Sequence, residues 1–582
     1  MAEGAAASDR GLSMNPVGLV IELIGNALRL LRNLVAVSLP APEYVVLTVT
    51  GPLPERREPP AGLLRRLLAR LGPPELGPAG PQESLEEWRE RLGALSAEPR
   101  VRGIVLKITD LTAGPASVES LRAALGVFRS SGKRVVAYAA TLDLKAYWLA
   151  GAADSIVVPE SAEIALHGPR TEISFLRVAL DRLGLLPQYH HIAEYKTASH
   201  RFLYPKMTEA QREMMDALLD GLFAEVVSSI ASFRNLSEAA VQEAIDDGLL
   251  SATMMRAKGF VDAVAFEDEL PAMLGTDRPA RLMPWAQARW RIRLPYRWRS
   301  LERRAIGVVQ LIGAIVPGES RDLPVPVPLL GAHLVGHETI ARAFRAVERS
   351  PALKAVVFYV DSGGGSAVAS DMIWREVERV RKSKPVVVFM GNVAGSGGYY
   401  VACGSAHIVA GATTLTGSIG VVAGKISAHP LAERLGVRRE ILMRGQTAAM
   451  FSGFTAFTER EWAALRWWME GIYARFTGRV AAGRGKPVPE IEALARGRVY
   501  TGRQALALGL IDEVGTFESA VRRAKSLAGI PADADVPVLT VRPPRIAAVP
   551  SASGTAWLDG LGRAMRLLQE PALLLMGLDL EI

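Results

Sequence analysis

Leu353-Lys-Ala-Val-Val-Phe-Tyr-Val360 and Val101-Arg-Gly-Ile-Val-Leu-Lys-Ile108 read as one apolar strand written twice in a chain of 582 residues. Working outward, the same offset of 252 positions lays Ala146-Tyr-Trp-Leu-Ala150 over Gly398-Tyr-Tyr-Val-Ala402, Ile156-Val157 over Ile408-Val409, and Gly168 over Gly420. Farther along the offset is 250. There Thr208-Glu209 meets Thr458-Glu459, and Gly259-Phe-Val-Asp262 meets Gly509-Leu-Ile-Asp512. One small indel across so long a span marks an internal duplication. Its period far exceeds the ~20–50 residues of solenoid repeats, so the chain reads as two tandem domains.

Each copy alternates apolar runs with helical patterns. The runs are Ile104-Val-Leu106, Val135-Val-Ala-Tyr138 and Ile156-Val-Val158 in the first copy, and Val356-Val-Phe-Tyr-Val360, Val386-Val-Val-Phe389 and Ile408-Val409 in the second. Continuous apolar strands separated by amphipathic helices predict parallel strands covered on both faces. The fold class is α/β, built from βαβ units. The expected organisation is an N-terminal amphipathic or membrane-associated segment over 1–42 and a first repeat over 43–280. An Arg/Trp-rich connector follows over 281–304, then a second repeat over 305–530 and a C-terminal extension over 531–582.

Hydrophobic residues make up 49% of the chain, enough for a core in each domain, and the net charge is +8. A basic balance favours anionic surfaces without choosing lipid or nucleic acid. The single cysteine, Cys403, excludes an internal disulfide and reads as a packed thiol. Val17 to Leu39 is apolar but carries Glu22, Arg29 and Arg32. It lacks the clean core of a signal peptide and the largely uncharged run of ~20 residues of a spanning helix. It reads either as an interfacial helix or as an ordinary amphipathic helix packed on the body. Residues 51–82 read as an exposed insertion with a short helix at Leu63 to Leu71. Within 281–304, eight arginines interleave with Trp285, Trp290, Tyr296 and Trp298. The preferred reading there is a connector whose arginines stack on tryptophans and pair with acidic residues, rather than a nucleic-acid surface. Trp557 to Leu578 reads as a weakly amphipathic segment broken at Pro571.

The copies differ where chemistry belongs. The second has Gly391-Asn-Val-Ala-Gly-Ser-Gly-Gly-Tyr-Tyr400; the first has Leu144 at the position of Ser396. A serine among small residues at a strand-to-helix turn is approachable, and the amide of Gly397 points from a helix start where free N–H groups collect. The alternative is a glycine-rich turn with an N-capping serine. Asp361-Ser-Gly-Gly-Gly-Ser366 follows another buried strand and forms a loop whose amides approach a ligand closely. It lacks the lysine and Ser/Thr order of a P-loop, and the dinucleotide fingerprint is absent; no cofactor is implied. A serine nucleophile needs a base. None of the eight histidines lies in a triad context, and Ala394 breaks the Gly-x-Ser-x-Gly elbow. Lys196 is a candidate once desolvated, although a surface pair with Glu194 is its alternative. Its second-copy counterpart is Gln446. One copy thus holds a lysine and no serine, and the other a serine and no lysine.

Leu415-Thr-Gly-Ser-Ile-Gly-Val421, Asp361-Ser-Gly-Gly-Gly-Ser366, Ala394-Gly-Ser-Gly-Gly-Tyr399 and Glu194-Tyr-Lys-Thr197 together resemble the long, duplicated type of the signal peptide peptidase A family, Ser/Lys peptidases of family S49. The resemblance covers roughly 43–530. It implies a fold like Clp protease and crotonase, with Ser396 as nucleophile and Lys196 as general base. Ser418 would orient the lysine, and Gly364 and Gly397 would supply the oxyanion amides. It also implies a tetramer at a membrane of the bacterial cell envelope that cleaves residual signal peptides in extended conformation, with no nucleic acid involved. Family members usually show Asn-Ser-Pro-Gly-Gly where this chain has Asp361-Ser-Gly-Gly-Gly365, which leaves open which loop amide faces the hole. Gly395 stands for a usual alanine. The rival readings are a crotonase-type acyl-CoA enzyme and a non-catalytic membrane scaffold.

Overall fold

The computed structural model describes residues 16–57, 83–296, 304–327, 331–542, 573–575 and 580–581. The expected helix at Leu63 to Leu71 and most of the segment Trp557 to Leu578 lie outside the described residues.

The repeated strands form two separate sheets. In the first copy, six parallel strands run in the order Ala263–Val264, Ser155–Val158, Arg134–Tyr138, Gly103–Leu111, Tyr44–Gly51 and Leu282–Pro284. In the second, Val386–Gly395, Leu353–Ser362 and Ala305–Ile312 are the parallel centre of an eight-stranded sheet. The central strands are buried along almost their whole length, which is why they carry β-branched runs without alternation. The chain therefore forms two similar α/β domains, as the duplication predicts.

The likeness extends to single hydrogen bonds. Tyr147 Oη donates to Phe260 O at 2.8 Å, and its equivalent Tyr399 Oη donates to Leu510 O at 2.7 Å. Asp262 accepts from the Ile156 N–H and pairs with Arg234; Asp512 accepts from the Ile408 N–H and pairs with Arg484. Helices Glu209–Arg234 and Glu459–Arg484 are both 26 residues long, and both are capped by a threonine, Thr208 and Thr458.

A third sheet joins the copies. Its order is Arg321–Val327, Gly331–Gly336, Ala314–Val316, Gly364–Ser366, Leu573–Leu575, Val422–Ser427, Leu186–His191. The last two are antiparallel over six residue pairs, from Val422 opposite His191 to Ser427 opposite Leu186. The first repeat thereby extends a strand into the second. Elsewhere on the interface, Glu119 accepts from the N–H groups of Ala412 (2.8 Å) and Thr413 (3.0 Å), and Gln504 Nε2 donates to Ala217 O. Burial pushes the Glu119 carboxyl up to about 7.

The N-terminal helix Pro16–Ser38 turns its polar residues inward. Asn26 and Asn33 are buried, and Asn33 exchanges hydrogen bonds with both backbone groups of Leu294. Val20, Leu23, Ile24, Leu28, Leu31 and Leu34 face outward. This reverses an ordinary amphipathic helix packed on a core. No helix among the described residues is long and apolar enough to cross a membrane. In the connector, Arg91 stacks on Trp285, Arg289 stacks on Trp290, and Arg293 pairs with Glu98. Those contacts account for part of its arginine and tryptophan content.

Candidate active site

Register places the two serines. Strand Val386–Gly395 pairs with Leu415–Gly417 so that Ala394 faces Thr416 and Gly395 faces Gly417. The next residue on each strand is a serine, so Ser396 and Ser418 emerge side by side. Both have positive φ, 55° and 53° respectively. Such backbone is costly for a residue with a Cβ and persists only where surroundings enforce it. Here the Ser396 N–H donates to Gly417 O at 2.8 Å, and the Ser418 N–H donates to Arg498 O at 2.7 Å. Ser396 directly precedes helix Gly397–Ala402, whose start has no side-chain cap.

Lys196 arrives from the other repeat. Beyond the shared ladder, the Ile192 N–H donates to Val421 O and the Tyr195 N–H to Arg496 O, carrying the chain across the second copy. Lys196 Nζ then lies 2.6 Å from Ser396 Oγ and 3.0 Å from both Ser418 Oγ and Ser418 O. Lys196 is 1% exposed and Ser396 0%. Burial alone pushes the Lys196 ammonium well below the ordinary lysine value of 10.5, because a low-dielectric site disfavours the charged form. Among the described residues, no carboxylate pairs with Nζ. Glu194, the surface partner considered from sequence, pairs instead with Arg496 at 2.9 Å. Two glycines of the second repeat make room for the lysine. A Cβ on Gly497 would collide with the Lys196 backbone, and one on Gly420 would sit 3.0 Å from Lys196 Cδ. Gln446 lies in an exposed loop.

The glycine loop closes the other side. A Cβ on Gly397 would be 3.0 Å from Gly364 Cα and 3.2 Å from Gly365 N, so the two backbones are nearly in contact. The Gly364 N–H, expected from the resemblance to face the oxyanion, donates to Ser362 Oγ at 3.1 Å. Gly365 is the neighbouring amide against Gly397. Only glycine fits at Gly365, since a Cβ there would collide with Ile315 O. Asp361, partly buried, accepts from the Val393 N–H (3.1 Å) and Tyr359 Oη (3.1 Å). Burial raises its carboxyl above the usual range. Cys403 is buried with its thiol pushed up by desolvation, unlike a reactive thiolate. The histidines His190, His191 and His200 cluster near the lysine loop. Burial holds His200 down to about 4, hence neutral.

The family model of peptidase family S49 matches residues 127–278 and 378–531. The chain belongs to peptidase family S49. Among its relatives, it is 30% identical over 470 residues to the serine protease SPPA, chloroplastic, of Arabidopsis thaliana, covering 79% of this chain and 68% of that protein. It is 31% identical over 444 residues to Protease 4 of Salmonella typhi, covering 74% of this chain and 69% of that protein. It is 29% identical over 447 residues to Protease 4 of Haemophilus influenzae, covering 74% and 71%. The protein is a serine-type endopeptidase, and the acyl-CoA and scaffold readings fall away. Sequence reasoning missed the Ser418 carbonyl as a second acceptor for Lys196, because a backbone oxygen leaves no residue-type signal. It also missed the strand Leu573–Leu575 beside the glycine loop.

Proposed function

We propose that this S49 peptidase hydrolyses peptide bonds with a Ser396/Lys196 dyad divided between its two repeats. The observation that carries this reading is the 2.6 Å contact between Lys196 Nζ and Ser396 Oγ in a fully buried setting. Desolvation favours the neutral form of a lysine, which is the form able to accept a proton. Lys196 takes the Ser396 hydroxyl proton as Oγ attacks the scissile carbonyl. The Gly397 N–H, first in its helix and so without an intrahelical acceptor, stabilises the oxyanion, with the Gly365 N–H as second donor. Each such donor contributes about 3 kcal/mol to the transition state. Lys196 then protonates the leaving amine, and water, activated by the same lysine, hydrolyses the acyl-enzyme. Ser418 holds Nζ in line through its hydroxyl and carbonyl.

Substrates bind extended between Gly364–Ser366 and Val422–Ser427, adding a strand to the sheet. The catalytic core has a Clp/crotonase-like arrangement. The outward apolar face of helix Pro16–Ser38 supports seating on a membrane, which points to membrane-associated peptides, residual signal peptides among them, as substrates, and to assembly of several copies on that surface. A serine-reactive fluorophosphonate probe tests the dyad. Wild type is expected to label, and Ser396→Ala not at all. Lys196→Ala is expected to label at least about 10²-fold more slowly. Undiminished labelling of Ser396→Ala rejects the nucleophile.

A further inference from the structure

The strand that delivers Ser396 is bulged. Val360 faces Met390 and Ser362 faces Ala394, so Asp361 alone stands opposite Gly391, Asn392 and Val393. Bulges re-aim the chain that follows them, and Ser396 comes shortly after this one. Two bonds hold the bulge from within the second repeat. The Val393 N–H donates to Asp361 Oδ1 at 3.1 Å, and Thr414 Oγ1 donates to Gly391 O at 2.7 Å. The middle residue, Asn392, reaches into the first repeat instead. Its Oδ1 accepts from the Ser117 N–H at 3.2 Å, and its Nδ2 donates to Ser117 Oγ at 3.1 Å.

Ser117 lies in the first turn of helix Pro115–Ser130, whose cap residue, Gly114, has no side chain to offer. Asn392 therefore caps this helix from the other repeat. The second copy caps itself. At the offset of 252 the equivalents of Gly114 and Ser117 are Ser366 and Ala369. There Ser366 Oγ accepts from the Ala369 N–H at 3.3 Å, at the start of its own helix Ala367–Arg381. The two arrangements exclude each other, because a Cβ on Gly114 would lie 2.3 Å from Asn392 Oδ1. The same first-repeat helix carries Glu119, which takes the N–H groups of Ala412 and Thr413. Next in the chain comes Thr414, whose hydroxyl holds Gly391, and then strand Leu415–Gly417, which leads to Ser418. One helix of the first repeat thus grips both segments from which the paired serines emerge.

We propose that Asn392 is a positioning residue for the nucleophile: by capping a helix of the first repeat, it fixes the bulge that aims Ser396 at Lys196. The inference rests on the dyad reading given above. The Lys196–Ser396 contact of 2.6 Å also crosses between the repeats, so a bond that ties the bulge to the first repeat sets the distance over which the proton passes. Such transfer needs hydrogen-bond reach, and a displacement of about 1 Å costs about 10²-fold in rate. A cap supplied at position 114 would hold the helix equally well and leave the bulge untied. That separates a positioning role from a stabilising one.

The test compares full-length wild type, Asn392→Ala and the double variant Gly114→Ser/Asn392→Ala, with Ser396→Ala as control. The measurements are steady-state hydrolysis of a fluorogenic trileucine peptide and thermal melting. Asn392→Ala is expected to lose kcat about 10²-fold with KM little changed, and to melt about 2–4 °C lower. Gly114→Ser/Asn392→Ala, which gives the helix a cap of its own, is expected to recover the melting temperature and not kcat. Recovery of kcat along with the melting temperature overturns the inference, because Asn392 then serves stability alone. Wild-type kcat in Asn392→Ala beside an inert Ser396→Ala also overturns it and spares the dyad. Undiminished hydrolysis by Ser396→Ala rejects the dyad reading, and the inference with it.

Discussion

Two short helices at equivalent places in the repeats begin in opposite ways. In the first repeat, the Asp143 side chain accepts from the Ala146 N–H at 2.6 Å and caps helix Leu144–Ala150. In the second repeat the position of Asp143 is Gly395, and helix Gly397–Ala402 has no side-chain cap. A carboxylate sits at the first helix start, where the second leaves its amides uncapped, as the proposed oxyanion hole requires. Around the capped start, the counterparts of Ser396 and Ser418 are Leu144 and Leu166, each 1% exposed. One fold can complete its hydrogen bonds internally and become scaffold, or leave them open and become a site. The first repeat took the former course, and it lends the second the strand Leu186–His191 and Lys196.

If that division is real, separating the repeats breaks it most. Residues 1–296 and 304–582, purified apart, are each expected to lose peptide hydrolysis by about 10⁴-fold or more relative to the whole chain, measured on an extended apolar peptide. Activity in the second repeat alone would mean that its own groups supply the base. Next in size is Gly395→Asp, which copies the Asp143 cap into the second repeat. It is expected to lower kcat by about 10²–10³-fold, the effect of one oxyanion donor, with a cooperative melting transition retained. Preserved kcat in that variant would place the oxyanion elsewhere.

The lysine gives a smaller, graded signature. Its folded-state pKa is depressed by burial, and the neutral form is the base. kcat/KM should therefore rise about tenfold per pH unit below that pKa and level off above it. The stability sign follows from the same shift. Below 10.5 the unfolded chain binds the proton that the folded chain excludes, so burying Lys196 weighs against folding most at lower pH. The melting temperature of wild type relative to Lys196→Met should climb as the pH rises toward the ordinary lysine value of 10.5. Both effects vanish if Lys196 stays protonated. The smallest effect is Asp143→Ala, expected to cost about 1 kcal/mol of stability in denaturant unfolding and to leave kcat unchanged. A large loss of activity would show that the capped helix does more than hold the fold.

The sheets and the pairing of Lys196 with Ser396 were legible because buried parallel strands keep unbroken apolar runs and because an offset of 252 aligns the edited positions. The register of Gly395 against Gly417, which sets Ser396 beside Ser418, follows from pairing between distant strands and has no local signal. The oxyanion loop was readable as a loop, but not which amide it turns inward. Ser362 Oγ takes the Gly364 N–H, a choice made by one rotamer. Leu573–Leu575 reads from sequence as part of a weakly amphipathic segment. It is a strand because two partner strands flank it, a tertiary decision that three identical residues cannot announce. Helix Pro16–Ser38 was expected on the right residues, but its outward apolar face depends on Asn33 finding both backbone groups of Leu294.

The division of the site also sets a clock on its birth. Lys196 and Ser396 stand 200 positions apart, and chains fold domain by domain as they leave the ribosome. With the proposed dyad, a growing chain carries its base long before it possesses a nucleophile. When the nucleophile is made, it works only after the strand Leu186–His191 has laid itself along Val422–Ser427. On that reading, no partly translated chain holds a complete site.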